Sequence, residues 1–504
     1  MGNNLYDRLK AYGESDAYPF HMPGHKRNAQ SGPLSSFYQY DITEIADFDN
    51  LHQPEGILLE AQKRAARLYG SEETFFIVNG STAGILSAIS AVATRGKKLL
   101  IARNCHKSVY HAAFLNKLEP EYLYPEILEE YGLADGFSAN QIAEKVKEIP
   151  KAEEVAGIVI TSPTYDGIVS DVRGIVEVAH AYGIPVIIDQ AHGAHFGFHP
   201  DYPQSAVAEG ADLVIHSVHK TLPAPTQTAL LHVNGTLVDR EKLRKYLQIY
   251  QTSSPSYLLM AGIDSCMALL QREGRDRLDN LLKLRRNFIE KTKDLRYIQI
   301  YPSMAECGED FAQEWTSGKE EPGRLILLVK ESKGTGQELH DILKDKYRLQ
   351  MEMYGADYVV AILSMMDTEE GFVRLAAALS EIDKKISALL KYAKEGNNDI
   401  IKNKSVYNGV RLSGQEFLHR PQKACLISEA FMETGVEIPL SEADGRISAE
   451  FINLYPPGVP FLVPGEKFDK AIIVVIMKYL ENGYTLQGIE KKDNETPAIV
   501  KILR

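Results

Sequence analysis

The sequence has little cysteine and no long apolar run. Its four cysteines, Cys105, Cys266, Cys307 and Cys425, are far apart in 504 residues and form no CxxC pair. This spacing argues against a disulfide framework or a structural zinc site and favours a reducing compartment. No apolar run reaches the length of a membrane span, and the polar start "MGNNLYDRLKAYGES" lacks the core of a signal peptide. We therefore expect a cytoplasmic protein with no membrane partner.

The sequence also has fewer basic than acidic residues. Lysine and arginine together number 56 against 68 aspartates and glutamates, so the formal net charge is -12. An acidic chain repels phosphate backbones, which argues against a nucleic-acid partner and is compatible with a small cationic substrate. The length predicts about two to four domains.

Short apolar runs alternate with helical patterns between about residues 70 and 235. Continuous apolar runs separated by helices are typical of parallel strands that are buried on both faces. The runs are "TFFIV", "KKLLIA", "EVAGIVI", "IPVIID", "ADLVIHS" and "TALLHV". We predict an α/β fold class, with a three-layer αβα large domain around a mostly parallel sheet. Ligands of such sheets bind beyond the carboxyl ends of the strands, so the residues after each run should form one site.

The rest of the chain predicts smaller units. Long helices extend to about residue 295, and a small αβ unit follows with strands "YIQIY", "GRLILLVK" and "YVVAILS". The polar stretch "KEGNNDIIKNK" (394–404) predicts a linker, and "LYPPGVPFLVPGE" (454–466) can be neither helix nor central strand. The predicted division is 1–55, an N-terminal segment contributing to the active site; 56–295, the large domain; 296–393, the small αβ domain; and 405–504, a C-terminal α+β domain.

Polar residues follow the predicted strands. The stretch "NGSTAG" turns directly into a helix, where backbone N–H groups can face a phosphate; alternatively, Ser81 is a simple N-cap. Asp189 ends "IPVIID", and a buried carboxylate needs a partner, either a protonated ring nitrogen or a structural contact.

Lys220 lies in "SVHKTLPAPTQ", just after another predicted strand. A buried lysine becomes a nucleophilic amine that can form a Schiff base, whereas most lysines lie on the surface. Pro223 and Pro225 argue against the surface alternative, because they prevent a solvated helix here. The spacing in "DQAHGAHFGFHP" is not that of a zinc site and favours structural or ring-contacting roles for His192, His195 and His199.

These residues together predict a pyridoxal 5′-phosphate (PLP) site. Such a site needs a lysine, an acid at the pyridine nitrogen, a phosphate cup and a flat group against the ring. All four are present at strand ends of one predicted sheet.

The chain resembles the bacterial Orn/Lys/Arg decarboxylases of the aspartate-aminotransferase fold type, in particular the shorter, Gram-positive-type members. The resemblance covers almost the whole chain. It rests on "FHMPGHKR" (20–27), "DITEIADFDNLHQPEG" (41–56), "FFIVNGSTAG" (75–84), "RNCHKSVYHA" (103–112), "SPTYDG" (162–167), "IDQAHGAHF" (188–196), "SVHKTLPAPTQ" (217–227), "TSSPSY" (252–257) and "GRISAEFINLYPPGVPFLVPGE" (445–466).

The resemblance implies a role for each matching residue. Lys220 would carry PLP as a Schiff base, Asp189 would face the pyridinium nitrogen, and His106 would stack on the ring. Ala191 would pack against the opposite ring face. The other expected cofactor contacts are Ser81, Thr82, His192, Ser217 and His219, with Ser253 or Ser254 reaching the phosphate from a partner subunit. Many members read "DEAHG", whereas this chain has Gln190.

The implied activity is α-decarboxylation of arginine, lysine or ornithine, in polyamine biosynthesis, by a homodimer or larger homo-oligomer with its active site at the subunit interface. A basic substrate needs an acid at its far end. The candidates are Asp41, Glu44, Asp47, Asp49, Glu442 and Glu450, each of which could equally be a surface acid or a helix cap.

Two alternatives remain at this level. An aminotransferase of the same fold would need an arginine for the substrate α-carboxylate, and Arg324, Arg348 and Arg374 lie in the small domain without a recognisable motif. A non-catalytic PLP-binding regulatory homologue is the other, although the presence of Lys220, Asp189 and His106 argues against it.

Overall fold

The computed structural model describes residues 4–28, 30, 32–301, 321–329, 334–394, 419–454, 458–481, 484–490 and 497–504. The predicted linker (394–404) lies outside these residues except for its first position, and so does Cys307. The cysteines within them, Cys105, Cys266 and Cys425, are free thiols.

A seven-stranded sheet is the centre of the large domain. Its order is Glu73–Ile77, Ala229–Val233, Leu213–Ser217, Val186–Asp189, Val155–Thr161, Lys98–Ala102 and Glu119–Leu123. Six strands run in one direction, and Ala229–Val233 is antiparallel to both of its neighbours. The prediction of a mostly parallel sheet is therefore confirmed. The sequence pattern missed Glu119–Leu123, a strand at the edge of the sheet, where charges and Pro120 are tolerated.

Helices cover both faces of this sheet. Successive side chains of a strand point to opposite faces, and accordingly Ile77 joins one apolar cluster while Phe76 and Val78 join another. One face packs against Gly80–Val92, Lys107–Leu115, Ala139–Glu148, Val172–Ala181 and Arg240–Tyr250. The other packs against Leu5–Gly13, Ile57–Tyr69 and Tyr257–Thr292. This is the expected three-layer αβα arrangement.

Short elements connect these layers. Single-turn helices are Ser35–Tyr38 and Val218–Thr221, and 3₁₀ turns are Ala93–Arg95 and Ala152–Glu154. Ile127–Leu128 and Leu133–Ala134 form a separate two-stranded ladder.

The small domain is an antiparallel sheet with two long helices. The strand order is Ile298–Tyr301, Arg324–Val329, Tyr358–Ile362 and Met353–Tyr354. The helices are Gly336–Tyr347 and Glu369–Lys394. The three strands expected from sequence are present, and the two-residue strand Met353–Tyr354 is additional.

The C-terminal unit contains two three-stranded sheets. One has the order Val436–Pro439, Ile499–Ile502 and Ile489–Glu490; the other has the order Val459–Leu462, Ile452–Leu454 and Leu486–Gln487. The helices are Ile427–Ala430 and Lys470–Glu481, with a 3₁₀ turn at Leu440–Glu442. Pro460 lies in an edge strand, where its missing N–H leaves no ladder bond unmade. The four domain boundaries expected from sequence stay predictions.

None of the helices in the described ranges combines the length and apolar composition needed to cross a bilayer.

Candidate active site

Three strands that run in the same direction end at one edge of the large sheet. Val186–Asp189 ends in Asp189, Leu213–Ser217 ends in Ser217, and Lys98–Ala102 is followed four residues later by His106. Lys220 lies in the single-turn helix Val218–Thr221 that continues from Ser217. The sequence-predicted lysine, acid and imidazole are thus brought to the same edge.

The amine of Lys220 contacts a histidine that an arginine also contacts. Lys220 Nζ lies 2.9 Å from His192 Nε2, and Arg324 Nη2 lies 2.6 Å from His192 Nδ1. Burial lowers the pKa of Lys220, Asp189 and Glu352 oppose the shift, and the cation of Arg324 adds to it. A lysine held in this way has the amine reactivity that a Schiff base requires.

Asp189 is a buried carboxylate, only 3% exposed. Its Oδ1 accepts a hydrogen bond from the Ala191 N–H at 3.2 Å. Burial raises the pKa of Asp189, and the cation of Lys220 and the Ala191 N–H counteract this. A buried acid with so few donors can stabilise a protonated ring nitrogen placed against it.

His106 offers a fixed, neutral ring. It is the N-cap of Lys107–Leu115, where its Nδ1 accepts the Ser108 N–H at 3.2 Å and the Ser108 hydroxyl at 2.8 Å. Burial and the charge of Lys220 lower the pKa of His106 to about 4. The imidazole is therefore uncharged at neutral pH and held in one orientation, as a ring-stacking group must be.

The helix Gly80–Val92 presents its N-terminus to the same edge. The Gly80 N–H donates to the Gln227 carbonyl at 2.9 Å, and the Asn79 side chain makes no capping bond, so the N–H groups that follow Gly80 are available to an anion. Gly80 has φ +73°, a conformation that favours glycine. Ser217 Oγ donates to Ser81 Oγ at 2.9 Å, with the exposed Thr82 beside it. These features fit a phosphate group.

The remaining expected cofactor contacts differ in their surroundings. His219 Nδ1 lies 2.8 Å from the Thr228 carbonyl oxygen, so this nitrogen carries a proton. Ser253 and Ser254 are exposed on a loop that begins at Thr252, whose N–H donates to Asn79 Oδ1 at 3.3 Å. The loop is thereby attached to the turn that precedes the helix Gly80–Val92. The contact of these serines with a partner subunit stays a prediction.

Comparison with known proteins agrees with this geometry. The family description "Orn/Lys/Arg decarboxylase, major domain" matches residues 3–310, and "Orn/Lys/Arg decarboxylase, C-terminal domain" matches residues 410–493. The chain belongs to the Orn/Lys/Arg decarboxylase family. Membership implies PLP as the cofactor, and the residues described above fit it.

Relatives of this family member match it over nearly its full length. The arginine decarboxylase of Bacillus subtilis (strain 168) is 32% identical over 99% of this chain and 97% of its own length. The arginine decarboxylase of Bacillus anthracis is 31% identical over the same shares. The lysine decarboxylase of Francisella novicida, a solved structure, has a TM-score of 0.83 at 19% identity, covering 100% of this chain and 81% of that chain. This last likeness shows the fold.

Gln190, which departs from the "DEAHG" pattern of this decarboxylase family, lies in a buried chain of neutral groups. Its Oε1 accepts hydrogen bonds from the Ala206 N–H at 3.0 Å and from His216 Nε2 at 2.9 Å. Because Gln190 Oε1 can only accept, His216 Nε2 carries the proton and His216 Nδ1 accepts from His232 Nε2 at 3.0 Å. Gln190 thus stands where a glutamate would place a buried charge, and its amide oxygen still accepts both hydrogen bonds.

The other histidines of "DQAHGAHFGFHP" have separate partners. His195 Nε2 lies 3.2 Å from Glu321 Oε2, and His199 Nδ1 accepts the Asp201 N–H at 3.1 Å. His192 contacts Lys220, so each of the three histidines has a different partner.

The predicted substrate acids lie in varied environments. Asp41 Oδ2 is 3.3 Å from His25 Nε2, and Glu450 Oε1 is 3.1 Å from Lys501 Nζ in the C-terminal unit. Glu44 is half-buried, and Asp49 accepts backbone N–H groups at the start of Ile57–Tyr69. Within the described part of the chain, none of these four makes a hydrogen bond or ion pair with Lys220. Their role as substrate ligands stays a prediction.

Sequence reasoning missed three residues near Lys220. The sequence offers Arg324 only as a carboxylate-binding candidate, and Tyr165 only as part of the motif "SPTYDG". Glu352 carries no sequence signal. The Tyr165 hydroxyl donates to Glu352 Oε1, and the Tyr165 and His192 ring centroids are 4.8 Å apart. The small domain therefore contributes an exposed carboxylate to the surroundings of Lys220.

Proposed function

We propose that the chain catalyses PLP-dependent α-decarboxylation of a basic amino acid. The proposal rests most on Lys220, whose amine lies 2.9 Å from His192 at the sheet edge that also carries buried Asp189 and the helix N-terminus that follows Gly80. Arginine is the substrate to test first, because full-length relatives at 32% and 31% identity are named arginine decarboxylases. Lysine and ornithine follow.

Each residue of the site has a separate task. When bound, PLP supplies the electron sink for the bonding electrons of the Cα–carboxylate bond. Lys220 Nζ would hold the cofactor and deliver a proton to the substrate Cα. Asp189 would favour a protonated ring nitrogen, and His106 would pack against the ring. Ser81, Ser217 and the N–H groups after Gly80 would bind the phosphate.

Glu352 is the residue we propose for the distal cation of the substrate. Its carboxylate is exposed, contacts Tyr165 and raises the pKa of Lys220. We expect Glu352→Gln to raise KM for arginine about tenfold, corresponding to about 1.4 kcal/mol, with a much smaller change in kcat. The exposed Glu369→Gln in the same domain is the matched control. An unchanged KM in Glu352→Gln would contradict this role and favour Asp41, Glu44 or Glu450 as the ligand of the distal cation.

The aminotransferase alternative gains no support from Arg324. Its Nε donates to the Tyr165 carbonyl at 3.4 Å, its Nη1 to the Gly323 carbonyl at 3.1 Å, and its Nη2 to His192. All three nitrogens are already engaged, so no bidentate fork is left for a substrate carboxylate.

A shared active site in a cytoplasmic homodimer, acting in polyamine biosynthesis, is part of the proposal. Exposed apolar side chains on the N-terminal segment support it: Tyr18, Phe20, Met22, Leu34 and Phe37. Sedimentation should show a dimer or larger oligomer. Mixing Lys220→Ala subunits with Ser253→Ala/Ser254→Ala subunits should restore activity if the serines act across the interface.

The decisive assay measures CO2 release by the PLP-loaded protein from arginine, lysine and ornithine. We expect release from at least one substrate and none from Lys220→Ala. Formation of a keto acid instead of CO2 would favour an aminotransferase. A bound cofactor without turnover of any of the three would favour a regulatory homologue.

A further inference from the structure

A line of buried polar groups leads from the small domain to Lys220. Glu321 Oε1 is 3.1 Å from Arg324 Nη1, Arg324 Nη2 is 2.6 Å from His192 Nδ1, and His192 Nε2 is 2.9 Å from Lys220 Nζ. Glu321 and Arg324 have no exposed side-chain surface, and His192 is 5% exposed. Solvent therefore cannot supply alternative partners to the first three groups.

The hydrogen-bonding capacity of Arg324 fixes the proton positions along this line. A guanidinium has donors and no acceptor, so His192 Nδ1 must accept from Arg324. A neutral imidazole then carries its single proton on Nε2, which points at Lys220 Nζ. An ammonium at Lys220 would also have to donate to Nε2, and the imidazole would be left with no ring proton. The contact is satisfied when His192 Nε2–H donates to the lone pair of an uncharged amine.

We propose that Arg324, acting through His192, holds the free Lys220 side chain as a neutral amine. Arg324 is thus a positioning residue, and its significance rests on the proposed function, in which that amine would hold the cofactor and exchange a proton with the substrate. Arg324 thereby determines which ring nitrogen of His192 carries the proton, although it lies 132 positions away, in the small domain.

The charged surroundings are consistent with this proton arrangement. Burial lowers the pKa of His192 well below its usual value, and Lys220 and Arg324 lower it further. The titratable and charged groups that act on Lys220 or His192 come from both the large and the small domain: Asp189, His106, His219, Arg324 and Glu352. Only Asp189 and Glu352 favour an ammonium at Lys220, and burial outweighs them.

The fold is built to keep Arg324 in place. Gly167 has φ +93°, and a Cβ at this position would lie 2.8 Å from Arg324 Cγ. The Gly167 carbonyl also accepts the Glu321 N–H at 3.0 Å. Burial alone would raise the pKa of Glu321, but Arg324 and His195 hold it below its usual range, so a charged carboxylate balances the guanidinium.

The test measures the protonation of Lys220 directly, in the apoprotein. Trace acetic anhydride acetylates neutral amines, and peptide mass spectrometry reports labelling of Lys220 relative to the exposed Lys245 as a function of pH. The test variant is Arg324→Met with Glu321→Gln, so that no carboxylate is left buried without its cation. Arg324→Lys retains a cation and a donor. Arg374→Met, which changes an exposed arginine of the same domain, is the matched control.

We expect the double variant to label Lys220 about tenfold less than wild type at a pH below the wild-type midpoint, which corresponds to a midpoint raised by about one unit. Arg324→Lys should retain most of the labelling, and Arg374→Met all of it. Equal labelling in the double variant and wild type would overturn the proposal, and so would an Arg324→Lys profile as low as that of the double variant.

A second readout follows the tautomer itself. With ¹⁵N-histidine labelling, the His192 resonance pair, assigned by its loss in His192→Gln, should show a protonated Nε2 in wild type and a changed tautomer in the double variant. A wild-type ring protonated on Nδ1 would contradict the inference. Neither measurement requires turnover, so failure of this inference is distinguishable from failure of the proposed decarboxylation.

Discussion

Glu466 Oε2 lies 2.9 Å from Arg103 Nη2, and both side chains are 2% exposed. Arg103 Nη2 also donates to the Phe461 carbonyl at 3.1 Å, and its guanidinium lies 4.7 Å from the centre of the Tyr122 ring. Glu466 belongs to the C-terminal unit, whereas Arg103 lies at a strand end of the large domain, three residues before His106. The ion pair therefore attaches the C-terminal unit to the strand end that precedes His106.

Removal of the carboxylate should leave Arg103 buried without its partner. We expect Glu466→Leu to lower the free energy of unfolding by about 3–5 kcal/mol, and Arg103→Leu/Glu466→Leu to lower it by much less than the sum of the single changes. Thermal unfolding of the four proteins in this cycle measures the coupling. The exposed Glu437→Leu in the same unit is the control. Additive effects would contradict the coupling.

The sequence was most informative where one strand supplied both an apolar run and the polar residue after it. Asp189 and Ser217 end strands that are buried throughout, so their placement follows from parallel-sheet topology alone. Lys220 follows Ser217 by three residues, so its position at the same sheet edge can be predicted in the same way. The convergence of the lysine, the acid and the start of the helix Gly80–Val92 could therefore be predicted from the sequence alone.

The small-domain contributions could not be found in this way. Arg324 and Glu352 reach the site across sequence separations of 132 and 187 residues, from a sheet whose docking no local pattern specifies. Glu352 precedes a strand of two residues, too short for any periodicity. Asp49 was found by sequence, but its role could not be predicted. An acid in a motif near the N-terminus looks the same in the sequence whether it binds a substrate or backbone N–H groups.

Asp166 should make stability depend on pH around 6. Burial raises the pKa of this carboxyl to about 6, although the Tyr358 hydroxyl donates to it at 3.2 Å and Arg324 is nearby. The raised pKa means that its stabilising contribution is fully present below about pH 4 and is lost as the pH rises through about 6. We expect Asp166→Asn to be more stable than wild type at pH 8, by up to about 3 kcal/mol, and equally stable at pH 4.

Thermal unfolding of Asp166→Asn across this range tests the expectation, with the exposed Asp345→Asn as the control. The asparagine Oδ1 can still accept from Tyr358, so the hydrogen bond is retained. A constant difference between Asp166→Asn and wild type at all pH values would show that Asp166 is ionised throughout.

Asp49 should stabilise the start of a helix rather than bind substrate. Its two carboxylate oxygens accept N–H groups from Asn50, Glu55, Gly56, Leu58 and Leu59. Burial would raise its pKa, but these backbone donors hold it below the usual value. We expect Asp49→Asn to lose about 1–2 kcal/mol of stability at pH 7, with the difference shrinking as the pH falls below about 4, where the wild-type carboxylate also becomes protonated.

The matched control is Asp47→Asn, because Asp47 is exposed and has a similar left-handed backbone, with φ +73° against +70° for Asp49. Both proteins should keep the wild-type KM. If Asp49→Asn instead unfolded like wild type but had a raised KM, the carboxylate would be a substrate ligand, which is the other role that the sequence leaves open for it.

Gln190 should keep the buried hydrogen-bonded chain of Gln190, His216 and His232 uncharged. Burial lowers the pKa of His216 well below its usual value, and His232 lowers it further, so both rings are neutral in the folded chain at pH 7. In Gln190→Glu, a carboxylate would face His216 Nε2 at the position where the amide oxygen now lies 2.9 Å away. Carboxylate and imidazole would then share one extra proton, since neither can be buried as a lone charge.

Above pH 6.5 the unfolded variant releases that proton while the folded variant retains it. Its stability should therefore fall relative to wild type as the pH rises from 7 to 9, by up to about 1.4 kcal/mol per unit. Thermal unfolding at pH 7, 8 and 9 measures the slope, and the exposed Gln248→Glu provides a carboxylate without a buried imidazole. Parallel stability curves for Gln190→Glu and wild type would mean that the amide position is open to water, contrary to the buried contacts of its oxygen with Ala206 and His216.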